Sequence, residues 1–156
     1  MIKNFLFQMD DPTKINIKED STYMLIKESL SRGIRCFYNS PSWVYASINK
    51  TNQIRAINIE LILNKSEKLT YKNKKNYKDT DLEKFNAIFI RQDPPFNMEY
   101  ISNTYLLSQL QKPILINDPN EVRNFPEKHI MMNFPELTPP TLISSNISSI
   151  LSFIKK

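Results

Sequence analysis

Three polar segments follow short apolar runs in this chain of 156 residues. They are Asp10-Asp11-Pro12 after Met9, Arg91-Gln92-Asp93-Pro94-Pro95-Phe96 after Ile90, and Asn117-Asp118-Pro119 after Ile116. A planar guanidinium grips a carboxylate through two parallel hydrogen bonds, and aspartates take an ammonium group. Arg91 and Asp93, with Asp10 opposite them, therefore suit a ligand that carries both groups, an amino acid or a peptide. Pro94-Pro95 restricts the loop and gives the charged pair a fixed seat, which favours a binding role for both residues. An Asp-Pro step by itself more often ends a strand and caps the next helix, and Asp118 is read in that way.

The scarce residue types set limits. His129 and Cys36 are the single histidine and the single cysteine, so multi-histidine or multi-cysteine metal sites and an intrachain disulfide are excluded. No catalytic triad or metal site can be assembled. Cys36 lies in the apolar run Ile34 to Tyr38 and reads as a buried small hydrophobe rather than a nucleophile. His129 reads as a packing or surface residue, and Phe125, Met131, Met132 and Phe134 as core or interface. Gly33 is the one glycine, and a loop that cradles phosphate needs several. Neither a P-loop nor a dinucleotide fingerprint exists here, and most of any nucleotide site would lie elsewhere.

The segments that must position these loops alternate between strand and helix patterns, which predicts an α/β fold with a mostly parallel sheet. A strand Ile2 to Met9, a helix capped by Asp20 or Ser21 with Met24, Leu25 and Leu30 as its apolar positions, Gly33 past its end, and a strand Ile34 to Tyr38 make a β-α-β unit. Trp43 to Ile48, Gln53 to Leu63 and Leu69 to Lys72 read as an antiparallel excursion. The alternation resumes with a short helix near Asp81 to Phe85, a strand Ala87 to Arg91, a helix from Met98 to Leu110 capped by Asn97, and a strand Ile114 to Asn117. Short helices from Asp118 and over Pro126 to Phe134, a break at Pro135, Pro139 and Pro140, and a helix Ile147 to Lys155 follow. The prolines place a junction near residues 120 to 140. In an open parallel sheet ligands bind beyond the carboxyl ends of the strands, so the three polar loops are expected to converge.

Hydrophobic residues form 40% of the chain and charged ones 24%, ordinary values for a folded protein. No run approaches the roughly 20 apolar residues of a membrane span, and the first residues meet Asp10 too soon for a secretory signal. The chain is read as cytoplasmic. Much of its net charge of +5 comes from Lys65, Lys68, Lys72, Lys74, Lys75 and Lys78. That segment reads first as a solvated loop or edge hairpin, and second, because Tyr71 and Tyr77 are interleaved, as a contact for a phosphate backbone.

The run Met9 to Thr22, with Asp10, Asn16-Ile17-Lys18 and Asp20-Ser21-Thr22, resembles the M-D-P-…-I-N-I-K-x-D-S/T segment of prokaryotic glutathione synthetases. Arg91 to Phe96, with Tyr100-Ile101 and Thr104-Tyr105, is similar to the R-K/Q-D-P-P-F-…-Y-…-T-Y segment of that family. Asn117-Asp118-Pro119, Arg123, Glu127-Lys128 and Leu137-Thr138-Pro139 are similar to its N-x-P-…-R-…-E-K-…-T-P run. The resemblance implies a Rossmann-like pre-ATP-grasp domain over residues 1–122 and a linker with the truncated start of an ATP-grasp domain over 123–156. It implies a cytoplasmic ligase that joins γ-glutamylcysteine to glycine, with ATP and Mg2+ as cofactors and a homo-oligomeric assembly. The dipeptide carboxylate is phosphorylated and the glycine amine then displaces phosphate from the acyl phosphate.

By the same likeness Asn16, Asp20, Arg91 and Asp93 stand on the substrate side with Asp10. Lys128 matches a lysine that contacts ATP, the alternative being an exposed helix lysine. The groups that hold magnesium and nucleotide come mainly from a part not contained in these residues, so the chain alone is expected to bind neither and to be inactive. The rival reading is a non-catalytic binding or oligomerisation module of the same family.

Overall fold

The computed structural model describes residues 2–155. In chain order its elements begin with β1 (Asn4–Gln8), α1 (Ser21–Ser31) and β2 (Arg35–Asn39). β3 (Val44–Asn49), β4 (Thr51–Leu63), β5 (Leu69–Tyr71) and β6 (Lys78–Asp81) form the middle. β7 (Ala87–Ile90), α2 (Met98–Leu107), β8 (Ile114–Ile116) and α3 (Pro119–Asn124) continue the chain, and α4 (Glu127–Ile130) and α5 (Ile147–Ile154) end it.

The sheet runs in the order β3-β4-β2-β1-β7-β8, with β5 and β6 also paired to β4. Parallel pairing joins β1 to β2, β1 to β7 and β7 to β8, whereas the four pairings of β4 are antiparallel. The sheet is thus mixed rather than mostly parallel, and β4 is the reason. At 13 residues it is long enough to take β3, β6, β2 and β5 as partners along its length. β6 was not anticipated from the sequence because Lys78-Asp79-Thr80-Asp81 carries no apolar residue.

α1 starts where Asp20 accepts a hydrogen bond from the Tyr23 N–H at 2.9 Å, the N-cap arrangement. It ends in a Schellman turn: Ile34 N–H bonds Ser29 O, Gly33 N–H bonds Leu30 O, and Gly33 takes a φ of 75°. Its inward face is Tyr23, Ile26 and Leu30. Met24 and Leu25, expected inside, are exposed, because positions i, i+3 and i+7 share a helix face and adjacent residues do not. α2 is capped by Asn97 and closes at Leu107, short of the expected Leu110. The short helix expected near Asp81 to Phe85 is a single 3-10 turn over Leu82–Lys84.

Alternation along the strands gives the sheet two apolar faces. Phe7, Cys36, Tyr38, Ile59 and Leu61 pack under α1, and Leu6, Ile54, Leu82, Ile88 and Leu107 form the core on the α2 side. Across β2, β4 and the end of β5, Arg35 places Nε and Nη2 on the Glu60 carboxylate at 3.0 and 2.8 Å, and Lys72 Nζ joins at 3.1 Å.

The chain divides into two compact units, 1–123 and 124–156. In the second, the expected helix Pro126 to Phe134 is broken into α4 and a 3-10 turn Met131–Asn133, since Pro135 disfavours helical geometry at Phe134. α5 is capped by Asn146, which accepts from Ser149 N at 3.0 Å. No described side chain of residues 124–155 is buried. Among the described residues no helix is long and apolar enough to cross a membrane.

Candidate substrate site

β1 and β7 are parallel neighbours, so the loops at their carboxyl ends open on one edge of the sheet. Arg91 leaves β7 with its N–H on Gln8 O at 2.8 Å. Its side chain reaches the first turn of α1, where Nε donates to Thr22 Oγ1 at 3.0 Å and Nη2 to Ser21 Oγ at 2.9 Å. Asp93 N–H donates to Asp10 Oδ2 at 3.0 Å. Between them Gln92 turns to the opposite side, and its Oε1 accepts from Gln8 Nε2 at 2.7 Å and Asn103 Nδ2 at 3.2 Å. Gln8 and Asn103 are buried, so this amide cluster ties the Arg91 loop to β1 and α2.

A cavity of about 240 Å3 results, lined by Asp10, Glu19, Asp20, Ser21, Thr22, Arg91 and Asp93 over Met9 and Ile15. One guanidinium thus shares a small polar cavity with four carboxylates, a constellation for a zwitterionic ligand. Arg91 has no carboxylate partner among the described residues. Its Nη1 group and one Nη2 hydrogen remain open, the edge a ligand carboxylate takes end-on.

Four of the five sequence-derived substrate residues, Asp10, Asp20, Arg91 and Asp93, line this cavity. Asn16 does not. Its Nδ2 donates to Glu19 Oε2 at 2.8 Å and its backbone oxygen accepts from the N–H of Glu19 and Asp20 at 3.1 and 2.9 Å. Asn16 shapes the turn that presents those two carboxylates. Asp118 accepts from Asn120 N at 2.7 Å and so begins α3, and Lys128 lies in α4 of the second unit. Glu19, Ser21 and Thr22 were missed as lining residues, although Ser21-Thr22 directly follow the Asp20 cap, which puts them in the first turn of α1.

Beside the cavity, Asp11 follows Asp10 in the same loop. Burial, the largest single influence, pushes its carboxyl up, but hydrogen bonds from the Thr13 N–H and hydroxyl and from Tyr71, with Lys14 nearby, outweigh it and leave the group below its ordinary value. Tyr71 donates to Asp11 Oδ1 at 3.1 Å. Burial pushes the Tyr38 phenol up to about 12. Tyr38 meets Trp43 edge-on at 5.4 Å, and Trp43 meets Tyr77 at 5.6 Å. The tyrosines of the lysine-rich segment are therefore engaged by this aromatic group, which weakens the reading of an open platform for stacking bases. Cys36 is wholly buried and burial pushes its thiol up to about 12, so it has no thiolate character at neutral pH. Among the described residues no group of His, Cys, Asp and Glu is placed to hold a metal ion.

Taken together these features define an α/β domain with a polar cavity at the carboxyl edge of its parallel strands. The family described as "Prokaryotic glutathione synthetase, N-terminal domain" matches residues 4–123, and the chain belongs to it. It is 36% identical over 154 residues to the glutathione synthetase of Bradyrhizobium diazoefficiens, covering 98% of this chain and 48% of that protein. It is 35% identical to that of Agrobacterium fabrum, covering 97% and 47%, and 33% identical to that of Buchnera aphidicola, covering 94% and 45%. The chain spans about half the length of these relatives.

Proposed function

We propose that residues 1–122 are the substrate-side domain of an ATP-dependent ligase that joins γ-glutamylcysteine to glycine. Arg91 takes a carboxylate of the dipeptide, and Asp10, Asp20 and Asp93 take its ammonium group. One observation carries this reading: the open guanidinium edge of Arg91 inside a cavity that it shares with the carboxylates of Asp10, Glu19, Asp20 and Asp93. The described residues supply neither a glycine-rich loop nor a carboxylate set for magnesium, and their part in the reaction is to bind and orient the dipeptide. ATP and Mg2+ belong to the second half that the relatives carry, with Lys128 as a contact at its start and residues 123–156 as the linker and beginning of that region.

In a complete synthetase built on residues 1–156, Arg91→Lys should raise KM for γ-glutamylcysteine roughly tenfold to a hundredfold, since a charge-assisted contact is worth on the order of 1.5–3 kcal/mol. An ammonium cannot reproduce the planar fork. KM for ATP should stay near its starting value. A sharp fall in melting temperature with dipeptide affinity intact would make Arg91 a structural brace and sink this reading.

A further inference from the structure

We propose that Ser21 and Thr22 are positioning residues for peptide recognition, their hydroxyls holding the Arg91 guanidinium so that its outer edge faces the ligand carboxylate. This deepens the assignment of Arg91 above and rests on it.

Thr22 Oγ1 and Ser21 Oγ accept from Nε and Nη2 of Arg91, at 3.0 and 2.9 Å, along the side edge of the fork. Nη1 and the outer Nη2 hydrogen are left for the cavity. A carboxylate in the same place would orient the guanidinium too, but it would also cancel its charge and compete for the ligand. Neutral hydroxyls fix direction and leave the positive charge intact. Each also keeps its own hydrogen, and the Ser21 hydroxyl, which lines the cavity, can donate it to the same ligand carboxylate.

The clamp is rigid because its two ends are anchored separately. Ser21 and Thr22 form the first turn of α1, fixed by the Asp20 cap and by Tyr23 and Ile26 in the core. Thr22 is 4% exposed, and its β-branch restricts the rotamer that aims Oγ1. Arg91 is fixed at the other end by the bond from its N–H to Gln8 O. The free N–H groups of the helix start add a positive field at the same point.

The test uses a complete synthetase built on residues 1–156, with KM and kcat for each substrate and the melting temperature as readouts. Thr22→Val keeps the side-chain shape and removes the acceptor. It should raise KM for γ-glutamylcysteine about fivefold to tenfold, with kcat and KM for ATP nearly unchanged, and Thr22→Ser should restore most of the loss. Ser21→Ala, at an exposed position, should raise the same KM about threefold and guards against a folding failure of Thr22→Val. In an Arg91→Lys background neither substitution should add to the defect. If Arg91→Lys impairs dipeptide use while Ser21→Ala and Thr22→Val leave KM unchanged, the clamp is refuted and the Arg91 assignment stands. If Arg91→Lys itself has no effect on dipeptide KM, the assignment falls first.

Discussion

Asp10 accepts the backbone N–H of Asp93 at 3.0 Å, so the loops that end β1 and β7 are joined across the mouth of the cavity by one charge-assisted bond. That bond uses a single Oδ of Asp10 and leaves the other for a ligand. Asp10→Asn keeps an acceptor for the Asp93 N–H but removes the negative charge. It should leave the melting temperature within about 1 °C while weakening γ-glutamylcysteine binding by roughly tenfold, the scale of a lost charged hydrogen bond. Calorimetric titration of the complete synthetase checks this. Unchanged affinity in Asp10→Asn would reduce Asp10 to a loop tether.

Asp20 separates in the same way but with a stability arm. It caps α1 through the Tyr23 N–H, and asparagine caps about as well as aspartate whereas alanine does not. Asp20→Ala should cost about 1 kcal/mol and lower the melting temperature by about 3–5 °C. Asp20→Asn should hold stability and still weaken dipeptide binding. Should both variants bind the dipeptide normally, Asp20 is a cap and nothing more.

The Arg35–Glu60–Lys72 cluster predicts a pH response of the fold. The hydrogen bonds from Arg35, then Lys72 beyond the opposing burial, hold the Glu60 carboxyl below its ordinary value of 4.5. A depressed carboxylate stabilises the folded state above its unfolded value and loses that contribution as pH falls through the folded one. Glu60→Gln should therefore cost on the order of 1 kcal/mol at pH 7, and the gap to the parent should narrow as pH falls below the ordinary value of 4.5. Denaturant unfolding at pH 7 and pH 3.5 measures both. A gap that persists unchanged at pH 3.5 would show that packing, not charge, is what the variant disturbs.

How much of this was legible in the sequence depended on whether a residue type is rare where it stands. An arginine and an aspartate directly after an apolar strand, stiffened by two prolines, are rare enough to be read as a site, and Arg91, Asp93 and Asp10 do share one cavity. Ser21 and Thr22 are hydroxyls in a chain rich in them, and at the start of a helix they look like ordinary N-terminal residues. What distinguishes them is Arg91, 69 or 70 positions away, and only the parallel pairing of β1 with β7 brings it there. The ends of α1 were readable from Asp20 and Gly33, but its buried face was not, because Tyr23, Met24, Leu25 and Ile26 are all apolar and consecutive. The antiparallel excursion was readable in the alternation of Gln53 to Leu63 and is present in the pairing of β4 with β3 and β5, but its weight in the sheet was not, because β4 also takes β2 and the strand β6, which has no apolar residue.

The second unit carries the last prediction. α5 has eight residues, well under the roughly 12–15 at which an isolated helix becomes even marginal in water. None of its side chains is buried, and Ile147 and Ile154 are each 73% exposed. Little beyond the Asn146 cap opposes its opening. β7, by contrast, is buried along its whole length and paired on both sides, so its amides exchange only when most of the domain opens. In the 156-residue chain, hydrogen exchange at Ile150 to Phe153 should be faster than at Ala87 to Ile90 by at least about a hundredfold. In a protein that also carries the second half of its relatives, protection at α5 should rise while that of β7 stays the same. Equal protection of α5 and β7 in the 156-residue chain would mean that the second unit is held by interactions its own residues do not reveal.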